Sequence, residues 1–249
     1  MTTIGILGGM SWESTALYYR VANELVRERR GGLASADLLV RSVDFEPVRA
    51  MQVADRWDDA AELLRREGLA LQDAGAGLVL LATNYMHKAA RPLEEALDVP
   101  FLHLADVVAA AARRAGAGVV GLLGAGGTMR EGFYAERLAR SGVAVLVPDD
   151  AAAQRVDDAV FGELCRGVLS EATRDDLRAV VAGLVAEGAL AIALSCTELE
   201  LLLEPEDSAV PLLPSARLHV EAALEAVGAG PAGAGAAGTS AVGAAAAAR

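Results

Sequence analysis

The stretch LVLLATNY at residues 78–85 is a short apolar run that ends in a polar turn. The stretch LAIALSCTE at residues 190–198 has the same form. The two turns lie 113 positions apart, with a hydroxyl at Thr83 where the second turn carries a thiol at Cys196. Near-continuous apolar runs of this length indicate strands that are buried on both faces, as in parallel sheets.

A glycine turn precedes each of these two stretches at a similar distance. The separation is 75 residues from Gly8 to Thr83 and 72 residues from Gly124 to Cys196. Repetition at matched spacing indicates a diverged internal duplication. We therefore predict two half-sites that face each other across a cleft.

Apolar runs alternate with helical periodicity along most of the chain, which is typical of βα units around parallel sheets. The predicted strands cover residues 3–7, 37–43, 78–82, 119–123, 143–147, 190–194 and 210–213. The predicted helices cover residues 14–30, 55–74, 89–97, 105–115, 130–141, 152–168, 173–187 and 216–227. The predicted fold class is α/β, with two pseudo-symmetric lobes that are each a mostly parallel sheet flanked by helices.

The chain of 249 residues is long enough for two lobes of ordinary size. We predict a first lobe from residues 1–103 plus 205–227 and a second lobe from residues 104–204. On this interpretation the last strand and helix return to the first lobe. Residues 228–249 are almost wholly Ala, Gly and Ser, and we expect this tail to be disordered.

Composition excludes several classes of partner. The net charge is -12 and basic residues form no patch, so nucleic acid is not expected. No apolar run approaches the roughly 18 residues that a membrane span requires. The N-terminus is typical of a strand that enters a turn and lacks the charged lead-in of a signal peptide. With two cysteines only, we expect a cytoplasmic protein with free thiols.

The residue types also argue against cofactors. Lys88 is the single lysine, so a pyridoxal phosphate enzyme would have to form its Schiff base there, which its position directly after His87 disfavours. The three histidines, His87, His103 and His219, have no spacing that resembles a metal site. We predict no cofactor and no metal.

The candidate site residues follow predicted strands, where open α/β sheets bind ligands. Met10 and Ser11 belong to the first glycine turn, whose amides either bind an anion or serve only as a turn. Cys196 follows a buried strand next to a predicted helix start, a setting that lowers a thiol pKa. Inert burial is the alternative for Cys196, although polar neighbours argue against it. Cys165 lies in a helical pattern and is interpreted as packing.

The first polar turn combines a hydroxyl at Thr83, an amide at Asn84 and a phenol at Tyr85. Such groups form a substrate cradle when they face a second polar turn, and an amide both donates and accepts hydrogen bonds. Arg49 lies in a predicted loop after the second strand, with Gln52 on the following turn. A guanidinium that reached the cleft would bind a carboxylate, whereas a solvated arginine is the simpler interpretation.

The motifs GGMSWEST at residues 8–15, TNYMHK at residues 83–88 and CTE at residues 196–198 resemble those of the cofactor-independent aspartate/glutamate racemase family. The resemblance extends to about residue 227 and includes Thr128 and His219. It implies two α/β lobes related by a pseudo-two-fold axis, with the substrate in the cleft between them. It also implies a homodimer and a small-molecule amino-acid substrate.

The same resemblance implies roles for individual residues. Cys196 occupies the position of the second catalytic cysteine and Thr83 that of the first. Asn84, Thr128 and Thr197 occupy positions that hold the α-carboxylate and amine. Arg49 matches a position that contacts the distal carboxylate in some members. The residues assigned to substrate binding are Met10, Ser11, Arg49, Gln52, Asn84, Tyr85, Thr128, Thr197 and His219.

Three departures from the family pattern bear on mechanism and substrate. Thr83 replaces a cysteine, Tyr85 replaces a small polar residue, and Cys165 stands where some aspartate-acting members have a lysine. A threonine hydroxyl is too weak an acid to serve as a base near neutral pH. The hypothesis is therefore racemisation of aspartate and/or glutamate with Cys196 as base, and Thr83 or an ordered water as acid on the opposite face. Such an enzyme is expected to be biased in rate between its two directions.

Two alternatives stay open. A single thiol opposite a non-thiol also suits a decarboxylase of a malonate-type substrate, in which one cysteine protonates an enediolate. A binding protein that has lost catalysis is the other possibility. Both alternatives use the same cleft.

Overall fold

The computed structural model describes residues 2–228, which form eight strands and ten α-helices. The strands are β1 (Ile4–Gly8), β2 (Leu38–Ser42), β3 (Leu78–Leu81), β4 (Phe101–Leu102), β5 (Val119–Gly124), β6 (Ala144–Leu146), β7 (Ala191–Ser195) and β8 (Leu212–Pro214). The helices are α1 (Trp12–Arg30), α2 (Phe45–Val53), α3 (Trp57–Asp73), α4 (Arg91–Ala96), α5 (Leu104–Arg114), α6 (Gly126–Arg130), α7 (Phe133–Ala139), α8 (Asp150–Gly162), α9 (Glu171–Ala186) and α10 (Ser215–Ala226). None of these helices has the length and apolar character needed to cross a membrane.

The strands form two four-stranded parallel sheets with equivalent topology. Their orders are β2-β1-β3-β4 and β6-β5-β7-β8, so each strand of the first sheet has a counterpart in the second. The inner strands β3 and β7 are buried along their whole length, which explains their unbroken apolar sequence. The predicted α/β class is confirmed, and the equivalent strand orders are the pattern that an internal duplication predicts.

Three apolar clusters hold the layers together. The central cluster joins both sheets through α1, α5, α7 and α10. A second cluster covers the outer face of the second sheet with α8 and α9. A third covers the outer face of the first sheet, mainly with α3 and the 3-10 turn at Tyr85–Ala89. Each sheet therefore has one face that packs only against helices of its own lobe, and one face that packs into a core shared by both lobes.

The last strand corrects the predicted lobe boundary. β8 pairs with β7 at the edge of the second sheet, whereas the sequence interpretation assigned it to the first lobe. The connection from β7 to β8 consists of two short 3-10 turns, which bring the chain back beside the strand it has just left. α10 then packs against α1 and α5 in the shared core. The predicted tail lies outside the described residues, apart from Gly228.

Three short elements were not predicted. α2 forms where a loop was expected, and Asp44 caps its N-terminus by accepting a hydrogen bond from the Glu46 amide at 3.1 Å. α6 is a five-residue helix directly after β5, and β4 has two residues only. Elements this short carry too few residues for apolar periodicity to show.

The lobes also meet through a polar contact at the mouth of the cleft. The Tyr85 hydroxyl and the Lys88 ammonium of the first lobe both donate to Glu131, which follows α6 in the second lobe. Lys88 Nζ also lies 3.9 Å from the centroid of the Trp57 ring, and the Trp57 and Tyr85 rings pack edge to face. We call this group of four residues the mouth cluster. It ties the turn after β3 to the C-terminal end of α6 in the second lobe.

All three histidines of the chain meet in the interior near the junction of the lobes. The ring centroids of His87 and His103 are 4.5 Å apart, and those of His87 and His219 are 6.1 Å apart. The Leu104 amide donates to His87 Nε2, so His87 Nδ1 carries the proton that is donated to the Thr83 carbonyl at 2.7 Å. Burial lowers the pKa of each ring, to about 3 for His103 and about 4 for His219. The three rings are neutral in the native state.

We predict that acid destabilises the native state through these rings. His219 is neutral when folded but binds a proton below pH 6.5 when unfolded, so stability is lost as pH falls from 6.5 to about 4. The contribution of His219 over this range is about 3 kcal/mol. The variant His219→Gln should show a slope of unfolding free energy against pH that is shallower by about 1.4 kcal/mol per pH unit, measured by urea titration. Carboxyl groups contribute equally to both proteins, and equal slopes would contradict the prediction.

We also predict that the mouth cluster disfavours any side chain at position 127, which is occupied by Gly127. A Cβ at Gly127 would lie 2.2 Å from the Tyr85 ring, so Gly127→Ala should displace Tyr85 and cost about 1–3 kcal/mol. Gly183 in α9 is the matched control, because a Cβ there meets nothing within 4 Å. Gly183→Ala should stabilise the protein by up to about 1 kcal/mol through helix propensity. Denaturant titration separates the two, and similar effects of both variants would refute the steric argument.

Candidate active site

The cleft lies where the two sheets present equivalent strand ends. In each sheet the chain order reverses between the two inner strands, β1 with β3 and β5 with β7. This reversal opens a crevice at the carboxyl ends of the strands, the usual ligand position in open α/β sheets. The turns after all four strands contribute to one cavity. The structure therefore brings the two predicted half-sites together.

Nine of the eleven predicted site residues line this cavity. They are Met10, Ser11, Gln52, Thr83, Asn84, Tyr85, Thr128, Cys196 and Thr197. The other two, Arg49 and His219, lie elsewhere.

Thr83 follows β3 directly and occupies the first half-site. It is 8% exposed, and its carbonyl is held by His87 at 2.7 Å. Within the described chain, its hydroxyl forms no hydrogen bond with another residue. The Thr83 hydroxyl is therefore available to a molecule in the cleft.

Asn84 is held in one orientation by residues of the second lobe. Its Nδ2 donates to Ser215 Oγ at 3.0 Å, and its Oδ1 accepts from the Tyr134 hydroxyl at 3.2 Å. One amide N–H and one oxygen lone pair stay free for a ligand. Thr128 on α6 is 1% exposed, and its hydroxyl has no hydrogen-bond partner in residues 2–228. A buried hydroxyl that lines a cavity without a partner indicates a place where a ligand binds.

Cys196 follows β7 directly and occupies the second half-site, where its sulfur contacts a buried carboxylate. Cys196 Sγ lies 3.0 Å from Oε2 of Glu198, which also accepts from Thr197 at 2.9 Å. Oε1 of Glu198 accepts from Ser11 at 2.7 Å and from Ser14 at 3.0 Å. Glu198 thus collects donors from both lobes and is only 4% exposed.

The predicted low pKa of Cys196 is wrong. Burial and the adjacent Glu198 carboxylate raise the pKa of the Cys196 thiol well above its usual range. The element after Cys196 is a five-residue 3-10 turn, which supplies far less dipole than the α-helix that was expected. Glu198 itself behaves in the opposite way. Burial raises its pKa, but hydrogen bonds from Ser11, Cys196 and Thr197 outweigh burial and lower it. The resting site therefore pairs a thiol with a carboxylate.

Cys165 also lines the cavity, although the sequence interpretation assigned it to packing. It lies in a short 3-10 turn at Leu164–Arg166 rather than inside a helix. Burial and the nearby Glu198 raise the pKa of its thiol to about 12. Neither cysteine forms a disulfide, and their raised pKa values keep both thiols protonated near neutral pH.

Arg49 lies in an outer chamber that continues from the cleft. Its guanidinium is 4.6 Å from the centroid of the Phe161 ring and donates to Gln52 Oε1 at 3.1 Å. Gln52 and Phe161 line both the inner cavity and the outer chamber, and Arg130 also lines the chamber. No carboxylate among residues 2–228 forms an ion pair with Arg49. A substrate that fills the cavity could extend a group toward this cation.

His219 was predicted to bind the substrate. It does not line the cavity, so the structure places it away from any direct contact with a substrate there. The ring is 0% exposed, with Nε2 2.8 Å from the Leu102 carbonyl and Nδ1 2.9 Å from the Tyr18 hydroxyl. These two partners use both ring nitrogens. His219 therefore supports the junction between α10, α1 and the end of β4.

Sequence reasoning missed the residues that surround Cys196. Glu198 was interpreted only as one of the polar neighbours that argue against inert burial of Cys196, and Ser14 only as part of the GGMSWEST motif. The signal for Ser14 was its spacing from Ser11, which places both hydroxyls at the start of one helix. Nothing local reveals that Ser11 and Ser14 donate to Glu198, because they lie more than 180 positions away from it in sequence.

Comparison with known proteins gives the same picture. The sequence profile of the Asp/Glu/hydantoin racemase family matches residues 7–223. A Yersinia pestis protein assigned as an Asp/Glu racemase is 40% identical, with a TM-score of 0.84 over 91% of this chain and 99% of that one. An aspartate racemase homologue from Pyrococcus horikoshii is 30% identical, with a TM-score of 0.81 over 92% of this chain and 100% of that one.

A mutant of arylmalonate decarboxylase shares the fold alone, at 16% identity and a TM-score of 0.55 over 92% of this chain and 94% of that one. The profile match covers most of the chain, and the 40% identical relative is aligned over nearly its whole length. On these findings, the chain is a racemase, an isomerase that belongs to the Asp/Glu/hydantoin racemase family.

Proposed function

We propose that the enzyme interconverts the enantiomers of aspartate and/or glutamate without a cofactor. Cys196 is the base on one face of the α-carbon, and Thr83 or an ordered water is the acid on the other. The observation that carries this proposal is the placement of Thr83 and Cys196 at equivalent strand ends of one cavity. Racemisation requires an acid and a base on opposite sides of one carbon.

The binding groups fit an α-amino acid. The free N–H of Asn84 and the unpartnered Thr128 hydroxyl suit the α-carboxylate. The Glu198 carboxylate supplies negative charge near the α-ammonium. Arg49 is the cation for a distal carboxylate, which selects an acidic side chain. These assignments place the polar ends of the substrate on different residues.

The contacts of Lys88 support chemistry without pyridoxal phosphate. A Schiff base requires a free, deprotonated amine in the cleft, and Lys88 is the only lysine in the chain. Its ammonium is instead paired with Glu131 and packed on Trp57 in the mouth cluster. This pairing disfavours a Schiff base at Lys88 and supports activation of the α-proton by the protein's own acid and base groups.

The difference between a thiol and a hydroxyl gives the two faces different behaviour. An enantiomer whose α-proton faces Cys196 can lose and regain a proton on the same face, because a thiol exchanges its proton with solvent. The other enantiomer faces Thr83, so its α-proton must be taken by the conjugate base of Thr83 or of the ordered water, a form that is scarcely populated near neutral pH. The equilibrium constant between enantiomers is one, so kcat/KM is equal in both directions while kcat and KM differ.

We predict that α-deuterium exchange reports this asymmetry. In deuterated water one enantiomer should gain deuterium faster than it inverts, and the other should gain it only on inversion. NMR of pure L- and D-forms of aspartate and glutamate measures both rates. Fast exchange without inversion from both enantiomers would contradict a single thiol base. A disubstituted malonate in the same panel tests the decarboxylase alternative, and no turnover of any compound would support a binder.

We predict opposite effects for substitutions at the two half-sites. Cys196→Ser should lower the exchange rate by at least about 100-fold, since a hydroxyl cannot replace the base. Thr83→Cys should raise turnover by about tenfold and allow both enantiomers to exchange, because it supplies a second thiol. Thr83→Ser is the matched control and should retain activity within a few-fold. A Thr83→Cys variant that still exchanges only one enantiomer would show that Thr83 does not face the α-carbon.

We predict that Arg49 determines preference for an acidic substrate. Loss of one charge-assisted hydrogen bond costs about 1.5–3 kcal/mol, so Arg49→Gln should raise KM for aspartate or glutamate by about tenfold to a hundredfold. Arg113→Gln on α5 is the control, since Arg113 lies outside the cleft and its outer chamber. Steady-state kinetics measure the effect. An unchanged KM for Arg49→Gln would remove Arg49 from the site.

A further inference from the structure

Glu198 contacts Cys196, one of the two residues proposed to flank the α-carbon. Cys196 is assigned as the base, yet its thiol rests protonated against a carboxylate. A thiol becomes a base only after its proton has moved to another group. Glu198 Oε2, at 3.0 Å from Sγ, is the acceptor in contact with that proton.

We infer that Glu198 is the residue that takes the Cys196 proton when the thiol becomes the base, so that the second half-site works as a thiol–carboxylate pair. This inference rests on the proposed function and deepens it. Glu198 acts through Cys196 and is a positioning residue for the proton.

The surroundings of Glu198 suit this exchange. Its Oε1 is bound by Ser11 and Ser14 at the N-terminus of α1, a helix of 19 residues whose dipole stabilises a carboxylate there. Its Oε2 accepts from Thr197 as well as from Cys196. Hydroxyl groups both donate and accept, so the same neighbours can adjust when the carboxylate becomes a neutral acid.

The proton steps balance without any further reactant. The Cys196 S–H bond breaks, an O–H bond forms on Glu198, and negative charge passes to sulfur. The thiolate then takes the α-proton, so the C–H bond breaks, an S–H bond forms, and the electron pair stays on the α-carbon. The acid on the opposite face delivers a proton to that carbon. Solvent returns a proton to this acid, and Glu198 releases its own proton to solvent.

The substrate supplies the charge that favours the first step. A cation near a thiol favours the thiolate, and the α-ammonium is such a cation when the amino acid binds beside Cys196 and Glu198. The other ionisable groups that act on this pair are Cys165, which is neutral, and Glu200 on the same 3-10 turn as Glu198. Burial raises the pKa of Glu200 to about 8, and it caps the N-terminus of α10.

The test is Glu198→Gln, with two measurements that a purely structural role would not move in this way. The first is the pH midpoint for alkylation of Cys196 by iodoacetamide, with each cysteine quantified by peptide mass spectrometry. The second is α-deuterium exchange of the amino-acid substrate. Removal of the negative charge should lower the midpoint by about one pH unit or more, which gives about tenfold more thiolate at a fixed pH. Exchange should nevertheless fall by at least about 100-fold, because glutamine cannot take the proton.

The combination of more thiolate with less turnover supports the inference. Equal or faster exchange in Glu198→Gln would overturn it, since the carboxylate would then only suppress the thiolate. An unchanged alkylation midpoint would also overturn it. Glu198→Asp keeps the negative charge but moves the carboxylate away from Cys196 Sγ, because the side chain is shorter. This variant replaces Glu198→Gln in the test if the glutamine variant does not fold. It should keep a high midpoint and lose exchange, whereas wild-type exchange would overturn the inference.

The wild-type enzyme separates this inference from the proposed function. If wild type exchanges no amino acid in the panel, the proposed function and this inference fall together. If wild type exchanges and Glu198→Gln keeps its rate, this inference alone falls. Circular dichroism of each variant establishes that it is folded before either measurement.

Discussion

The shared apolar core between the two sheets is the constraint on which the rest of the structure depends. α1, α5 and α10 pack together there, so only the outer face of each sheet is covered by helices of its own lobe alone. Because the two sheets are held against the same helices, the carboxyl ends of their inner strands point into one crevice. The polar turns after those strands then need no long loops to reach each other. The geometry of the site follows directly from this packing.

Equivalent topology does not make the two half-sites equivalent in chemistry. The first half presents a hydroxyl at Thr83, to which no charged group of residues 2–228 is bound, whereas the second presents a thiol against Glu198. A buried carboxylate is costly unless it is fully hydrogen-bonded, and Glu198 meets that requirement with four side-chain donors. Two of the donors belong to the first lobe. The charge near the sulfur is therefore maintained by the contact between the lobes.

The sequence was informative where burial is local and periodic. β3 and β7 could be predicted because strands covered on both faces are continuously apolar, and the polar turns after them mark the site. Asp44 at the start of α2 was a legible cap that was overlooked, so Arg49 was assigned to a loop. The partner of β8 could not be predicted, because a three-residue strand carries no information about which sheet it joins. The raised pKa of Cys196 could not be predicted, because it depends on where the Glu198 carboxylate lies. Contacts between distant parts of the chain determine that position.

The mouth cluster has a consequence for how the contact between the two lobes can be observed. Lys88 is the only side-chain amine in the protein, and it lies where the first lobe meets Glu131 of the second. Its nucleophilicity depends on whether the lobes are together, because pairing with Glu131 and packing on Trp57 shield the nitrogen. A side-chain amine label would thus attach at one position, and its rate of attachment would report whether the contact between Lys88 and Glu131 is intact.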